Sequence, residues 1–299
     1  MIGANPYRAV GYQLLKLEPH LHTRHSDGQH GVAAMLRACR AAGYDAVAVT
    51  DHNTTSGLAE AERVAADAGL ILIPGVEVTT FRGHAVALGV WEPPEWRDLE
   101  VRGIDALADD VHARGGVVSV CHPVQLGSPW CSGCTWEWPV KAQSIDLWEV
   151  FSAPLPGYPH TELSLLAWRQ QLARGGTPAP VAAGDVHSRE AALAQRPATY
   201  VYVHERSRAG VLEALRRRRL FASTGPRLDF WVEGDGRAGL VGDELDPGRQ
   251  VGAVHIEPTP ETGQPVLGEV TLDSGRCLYA ELRGPDAALL AVSAPIWTR

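Results

Sequence analysis

The sequence predicts an α/β fold: a TIM-like strand–helix barrel or sheet over residues 1–224, then a small all-β, sandwich-like region over 225–299. Three observations predict it. From Leu14 to about Leu220, short β-branched or apolar runs alternate with stretches whose apolar residues recur at helical spacing. Beyond Gly225, strand-like runs follow one another with only Gly, Pro and Asp turns between them. A length of 299 residues with 45% hydrophobic content holds a full core, close to the ~250 residues of a typical barrel plus a smaller module.

The expected strands of the first region are LLKL before His20, DAVAVT before Asp51, LILIPGVEV around Glu77, HAVALGV, GVVSV before Cys121, IDLWEV, and PVAAG before Asp185. Between them lie GVAAMLRACRAAG, GLAEAERVAADAG, IDALADDVHARG and ELSLLAWRQQLARG, each with helical periodicity and a glycine at or near its end. The second region contributes LDFWVEG, GAVHIEP, PVLGEVTLDSG, CLYAELRG and ALLAVSAPIW as strands.

Composition excludes several classes. No apolar stretch approaches the roughly 20 residues that span a bilayer, so no membrane partner is expected. The start MIGANPYRAVGYQ lacks the pattern of a secretion signal, and a cytoplasmic location is expected. A formal net charge of -8 leads to the expectation of no nucleic-acid affinity. The basic run Arg216 to Arg219 closes an amphipathic stretch, where cations complement the helix dipole. Five cysteines do not describe a disulfide framework, and the single CxxC of Cys131 and Cys134 lacks the second pair of a structural zinc site. Loop packing or a reversible disulfide accounts for it.

The chemistry lies in where histidines and carboxylates fall. His20 and His22 follow the first strand, Asp51 and His52 the second, Glu77 lies in the third, His122 ends the fifth, and Asp185 and His187 end the last. In a barrel the loops at the C-terminal strand ends share one face, so these side chains converge. Each motif is weak by itself. As a set they are not, because imidazole and carboxylate donors suit Zn, Mn and Fe, and a bridging carboxylate such as Glu77 holds two cations.

The strings HLHTRHSDG, TDHN, GVEVTT with GHAVALG, CHP and GDVHS resemble, in order, the motifs of the PHP (polymerase and histidinol phosphatase) superfamily over about residues 16 to 205. The Cys- and Trp-rich loop after CHP, FASTGPRLDF and SAPIWT further resemble its CehA/McbA branch. The resemblance implies a distorted (β/α)7 barrel with two to three divalent ions (Mn, Zn or Fe). One is held by His20, His22, Glu77 and Asp185, a second by Glu77, His84 and His122, and a third by Asp27, His52 and His187. Asp51 is implied to orient a ligand histidine. His84 is assigned by resemblance alone, since it precedes its apolar run. Glu18 and Pro19 stand where the family usually has Asp and an apolar residue.

The implied activity is hydrolysis by a metal-activated water, with Glu77 central and no side-chain nucleophile; GxSxG and HExxH are absent. A small anionic phosphoester is the expected substrate, and the CehA/McbA resemblance implies the alternative of carbamates or esters. A binding module without catalysis is disfavoured because every matched position keeps a chelating side chain. Arg24 and His25 are candidates to contact a phosphate or protonate a leaving group. Trp130, Trp136 and Trp138 either line an aromatic pocket or pack their loop.

Overall fold

The computed structural model describes residues 5–127, 129, 131–141, 143–152, 159–189, 196–234, 237–245, 253–259, 267–273 and 277–298. The short helix α1 (Pro6–Ala9) leads into β1 (Gln13–Glu18), α2 (Val32–Ala41), β2 (Ala46–Val49), α3 (Leu58–Ala68), β3 (Ile71–Thr80) and β4 (Gly83–Leu88). Then come α4 (Leu99–Arg102), α5 (Ile104–Ala113), β5 (Val117–Val120), β6 (Leu147–Ser152), α6 (Pro159–Ala173) and β7 (Ala179–Ala183). The helices form where apolar residues repeat at three- and four-residue intervals: α2 buries Val32, Met35, Leu36 and Cys39, and α3 buries Leu58, Ala61 and Ala65. Gly69, in the left-handed conformation at φ 67, ends α3.

Strands β1, β2 and β3 are parallel neighbours, as are β5, β6 and β7. Strand β4 runs the other way. Only Phe81 and Arg82 separate it from β3, too few residues for a crossover, so it pairs antiparallel with both β3 and β5.

The expected (β/α)7 barrel is therefore corrected to an open, curled sheet. Thirteen strands follow one hydrogen-bonded path, β12-β17-β15-β16-β9-β8-β1-β2-β3-β4-β5-β6-β7, with β14 alongside β15. Here β8 is Ala198–Val203, β9 Leu220–Ser223, β12 Glu244–Leu245, β14 Leu267–Asp273, β15 Cys277–Arg283, β16 Leu289–Ser293 and β17 Ile296–Thr298. Among the described residues, β7 and β1 meet only beyond their ends. There His22 N donates to Val186 O (2.9 Å) and Val186 N to His20 O (3.1 Å). Lower down, Thr199 of β8 replaces a ladder: its Oγ1 accepts from Ala182 N (2.9 Å) and donates to Ala182 O (2.8 Å).

The helix α7 (Arg208–Arg216), capped by Ser207, lies between β8 and β9. A three-stranded sheet, β11-β10-β13, is formed by β10 (Arg227–Gly234), β11 (Arg237–Leu240) and β13 (Ala253–Thr259). The described elements after β9 are all strands: β12 and β14 to β17 continue the main sheet, while β10 and β11 join what precedes them through a shared core. Leu15, Leu17, Val201, Phe221, Phe230, Leu278 and Ile296 belong to one buried cluster. Among the described residues no helix is long and apolar enough to cross a membrane.

Tyr7 fastens the N-terminal segment to the C-terminal strands. Buried against Tyr202 with ring centroids 4.0 Å apart, it donates to Phe230 O (2.6 Å) and accepts from Val241 N (3.0 Å). Tyr7→Phe keeps the stack and leaves that carbonyl and amide without partners. Denaturant unfolding should show a loss of about 1–3 kcal/mol; an unchanged midpoint would mean the hydroxyl bonds are not needed to fasten the two ends.

Candidate metal centre

The strand ends place the histidines. His20 and His22 follow β1, His52 follows β2, Glu77 lies within β3, His122 follows β5, and Asp185 and His187 follow β7. Because β4 is reversed, its first residues lie at the same rim, and His84 joins the group from a strand's beginning. Three of these junctions have left-handed backbone: Asn53 (φ 52), His122 (φ 28) and Asp185 (φ 42). Such non-glycine conformations cost about 1–3 kcal/mol each, and surrounding structure must hold them.

Glu77, fully buried, is the hub. Its Oε2 faces His20 Nε2 (3.2 Å), His22 Nε2 (3.2 Å) and His52 Nδ1 (2.9 Å). Its Oε1 faces His84 Nδ1 (3.0 Å) and His122 Nε2 (3.3 Å). Asp185 Oδ1 closes the first group at 3.5 Å from His20 Nε2 and 3.1 Å from His22 Nε2. Further out, Asp27 Oδ2 meets His187 Nε2 (3.2 Å) and His52 Nε2 (3.4 Å). All the histidines and carboxylates assigned to metal from sequence thus lie in one cluster.

Several partners orient these side chains. His20 Nδ1 donates to Glu149 Oε1 (2.8 Å), and Glu149 Oε2 accepts from His122 N (2.6 Å), tying the strained His122 to β6. His52 Nδ1 lies 2.5 Å from Thr79 Oγ1. Glu18, where the family usually has Asp, accepts through Oε1 from His20 N (3.1 Å) and Gly184 N (2.8 Å) and so supports the backbone on both sides of the seam. Asp51 accepts from Thr23 N (2.7 Å), Thr23 Oγ1 (2.8 Å) and Ser26 Oγ (2.7 Å). It holds the loop that carries Asp27, and Ser26 Oγ, bound to it, lies 3.5 Å from His22 Nδ1. Arg24 Nε donates to Gln29 O (3.0 Å) and His25 Nδ1 pairs with Ser56 Oγ (2.7 Å), both exposed at the rim.

Glu149 was not singled out as a site residue from sequence. The available signal was a carboxylate inside the apolar strand IDLWEV, flanked by the buried Trp148 and Val150. Trp138 is buried and donates from Nε1 to Thr80 Oγ1 (2.9 Å), and Trp136 packs near Trp148, so both pack the loop. Trp130 lies outside the described residues. Cys131 and Cys134 are disulfide-bonded, with Cα atoms 5.5 Å apart.

Electrostatics make the cluster a cation trap. Burial disfavours a charged His22, but the neighbouring carboxylates of Asp185 and Glu77 outweigh it and raise its pKa to about 9. The same contest raises His20 well above its ordinary value, chiefly through Glu77. Burial likewise opposes ionisation of Glu77, yet the neighbouring His20, His122 and His22 hold its pKa well below the usual range. His20 Nε2, His22 Nε2 and Glu77 Oε2 are buried without hydrogen-bond partners and converge on one point. Donors about 2.0–2.2 Å from a tetrahedral metal lie about 3.3–3.6 Å apart. The 3.1–3.5 Å separations within the first group lie within about 0.2 Å of that range.

The PHP domain family model matches residues 18–202. The chain is 36% identical over 86 residues to a 3',5'-nucleoside bisphosphate phosphatase of Chromobacterium violaceum, a match covering 27% of this chain and 30% of that protein. It is 37% identical over 65 residues to a 5'-3' exoribonuclease of Haemophilus influenzae, covering 22% of this chain and 24% of that protein. The chain therefore spans less than a third of each of these curated relatives. Its fold resembles a two-domain protein of Bacteroides vulgatus described as containing a predicted PHP-like metal-dependent phosphoesterase. That likeness has a TM-score of 0.58 and 19% identity, covering 96% of this chain and 87% of the other. Likeness to an exoribonuclease overturns the expectation of no nucleic-acid affinity. Net charge was the wrong measure, because it omits the positive charge that divalent ions bring to such a cluster.

Glu149→Gln tests the support of the site. It should lower stability by about 1–3 kcal/mol while the chain still folds, and weaken zinc affinity by about 10–100-fold, measured against a competing chelator. Equal affinities would remove Glu149 from the site.

Proposed function

The chain belongs to the PHP domain family, and from that premise and the Glu77 cluster we propose that it is a metal-dependent phosphoesterase. The observation that carries the reading is that the two oxygens of one buried carboxylate face two separate sets of imidazoles. His20, His22, Glu77 and Asp185 would hold one divalent ion, Glu77, His84 and His122 a second, and Asp27, His52 and His187 a third. When bound, these ions would supply Lewis acidity, easing ionisation of a water and offsetting charge on the attacked centre.

The protein's own groups prepare that chemistry. Glu149 holds the His20 ring with its Nε2 toward Glu77, and Asp51 fixes the loop that presents Asp27. Arg24 and His25, exposed on the same loop, are assigned to contact substrate oxygens or the leaving group. Three carboxylates among the ligands would leave three divalent ions with about three surplus positive charges, before the surrounding Glu149, Asp51 and Glu18 are counted. The surplus favours a doubly charged phosphate over a neutral carbamate, whose carbonyl becomes charged only in the transition state. Nucleoside phosphates and oligonucleotides belong among the substrates to be tried, beside small phosphate esters.

Purified without chelator and loaded with Mn or Zn, the protein should carry two to three ions by elemental analysis. Less than one per chain would refute the assignment. Phosphoesters should turn over, with competitive inhibition by inorganic phosphate and loss of activity in EDTA. If only aryl carbamates or esters react and phosphate does not compete, the CehA/McbA-like carbonyl reading replaces this one.

Glu77→Gln and Asp185→Asn should each lower kcat/KM by at least about 100-fold, since the loss of a ligand exceeds that of a supporting residue. Near wild-type turnover with full metal content in either variant would exclude that residue.

A further inference from the structure

The loop after β5 reaches back over the site. Gly133, between the two disulfide-bonded cysteines, has φ +74, and a Cβ there would lie 1.9 Å from Thr80 O. The loop is thus pressed onto the turn that leads into His84, and its backbone takes up the outer nitrogens of two imidazoles. His84 Nε2 donates to Ser132 O (3.0 Å), and His122 Nδ1 donates to Cys134 O (3.3 Å). Cys134 is itself buried, and its Sγ and one ring nitrogen of each of His84 and His122 all lie within 4.8 Å of one another.

We propose that reduction of the Cys131–Cys134 disulfide frees Cys134 as a thiolate ligand which, with His84 and His122, forms a His2Cys site selective for zinc-like ions. This rests on the reading that His84 and His122 hold a divalent ion. The reductant is a dithiol or a phosphine. The S–S bond breaks, both sulfurs become thiols by taking up two electrons and two protons, and a dithiol reductant is oxidised to its disulfide. With a phosphine, water supplies the oxygen of the phosphine oxide and both protons. The freed Cys134 loses its proton to solvent as it ligates, because a neighbouring cation stabilises the thiolate. Thiolate and imidazole together favour zinc over harder ions such as manganese. The redox state of the loop therefore selects which metal the His84 end of the cluster prefers.

Cobalt(II) distinguishes the outcomes by absorbance. The whole chain is stripped with chelator, loaded with cobalt under argon, and recorded before and after a phosphine, with thiols counted separately. Visible d–d bands report cobalt on the cluster, and a near-ultraviolet sulfur-to-cobalt band reports the thiolate. The oxidised protein should show d–d bands alone, and reduction should add the charge-transfer band of one thiolate per chain. Cys131→Ser should show that band without reductant, and Cys134→Ser should lack it in every state. Wild-type reduction and Cys131→Ser reach the same free sulfur by separate routes, so misfolding of one variant leaves the other as the test. A charge-transfer band persisting in Cys134→Ser would overturn the proposal by giving the sulfur to another cysteine, either the freed Cys131 or Cys121, which lies beside His20 and Glu77. So would d–d bands without the sulfur band in both reduced wild type and Cys131→Ser. Absence of d–d bands throughout would overturn the metal reading itself and this proposal with it.

Discussion

A carboxylate with no exposure has lost its hydration, and several kcal/mol of desolvation must be met by charge and hydrogen bonds from its neighbours. Glu77 is such a group, and imidazoles from the ends of β1, β2 and β5 and the start of β4 surround it. The sheet can be understood from that requirement. The segments just beyond β1, β2 and β5 bring imidazoles to Glu77, and the left-handed backbone at His122 and Asp185 is held by neighbouring groups. The amide of His122 is bound to Glu149, and the backbone around Asp185 is anchored through Gly184 N on Glu18 and the Leu21–Val186 bridge.

The reversal of β4 follows from the same economy of space. A parallel strand would bring a histidine to the rim only at its C-terminal end, after a crossover helix. The two-residue turn lets β3 deliver Glu77 and β4 return at once with His84, so hub and ligand share a hairpin. The opening in the sheet is then confined to the seam between β7 and β1, where the loops bearing Asp27 and His187 come together through Gln29 N on His187 O (2.8 Å).

Much of this was legible in the sequence. The apolar runs marked β1 to β7 because buried strands read as short β-branched segments, and the order of HLH, TDH, GVE, CHP and GDVH marked the rim. What was missed depends on tertiary contacts. Glu149 sits in a strand that looks merely apolar, and its role appears only when β6 lies under His20 and His122. ATYVYV and LFAS, which become β8 and β9, follow the last of the motif-bearing strands and carry the sheet onward instead of closing it, a continuation that depends on pairing with β1 and β16. The link between the Cys131–Cys134 loop and two imidazoles is made by backbone carbonyls, which no side-chain pattern announces.

The continuity of sheet and core from β1 through β8 and β9 to β16 bears on how the protein comes apart. Modules with separate cores melt in separate steps, whereas elements sharing one buried cluster lose their order together. Here the strand that presents His20 and His22 is hydrogen-bonded to β8, and β8 to the strand that receives the C-terminal segment. Loosening of the far strands therefore reaches the histidines directly, and substitutions distant from the rim should appear as changes in its affinity for ions. A cell that clears partly unfolded chains would then encounter few molecules with an intact tail and a ruined centre.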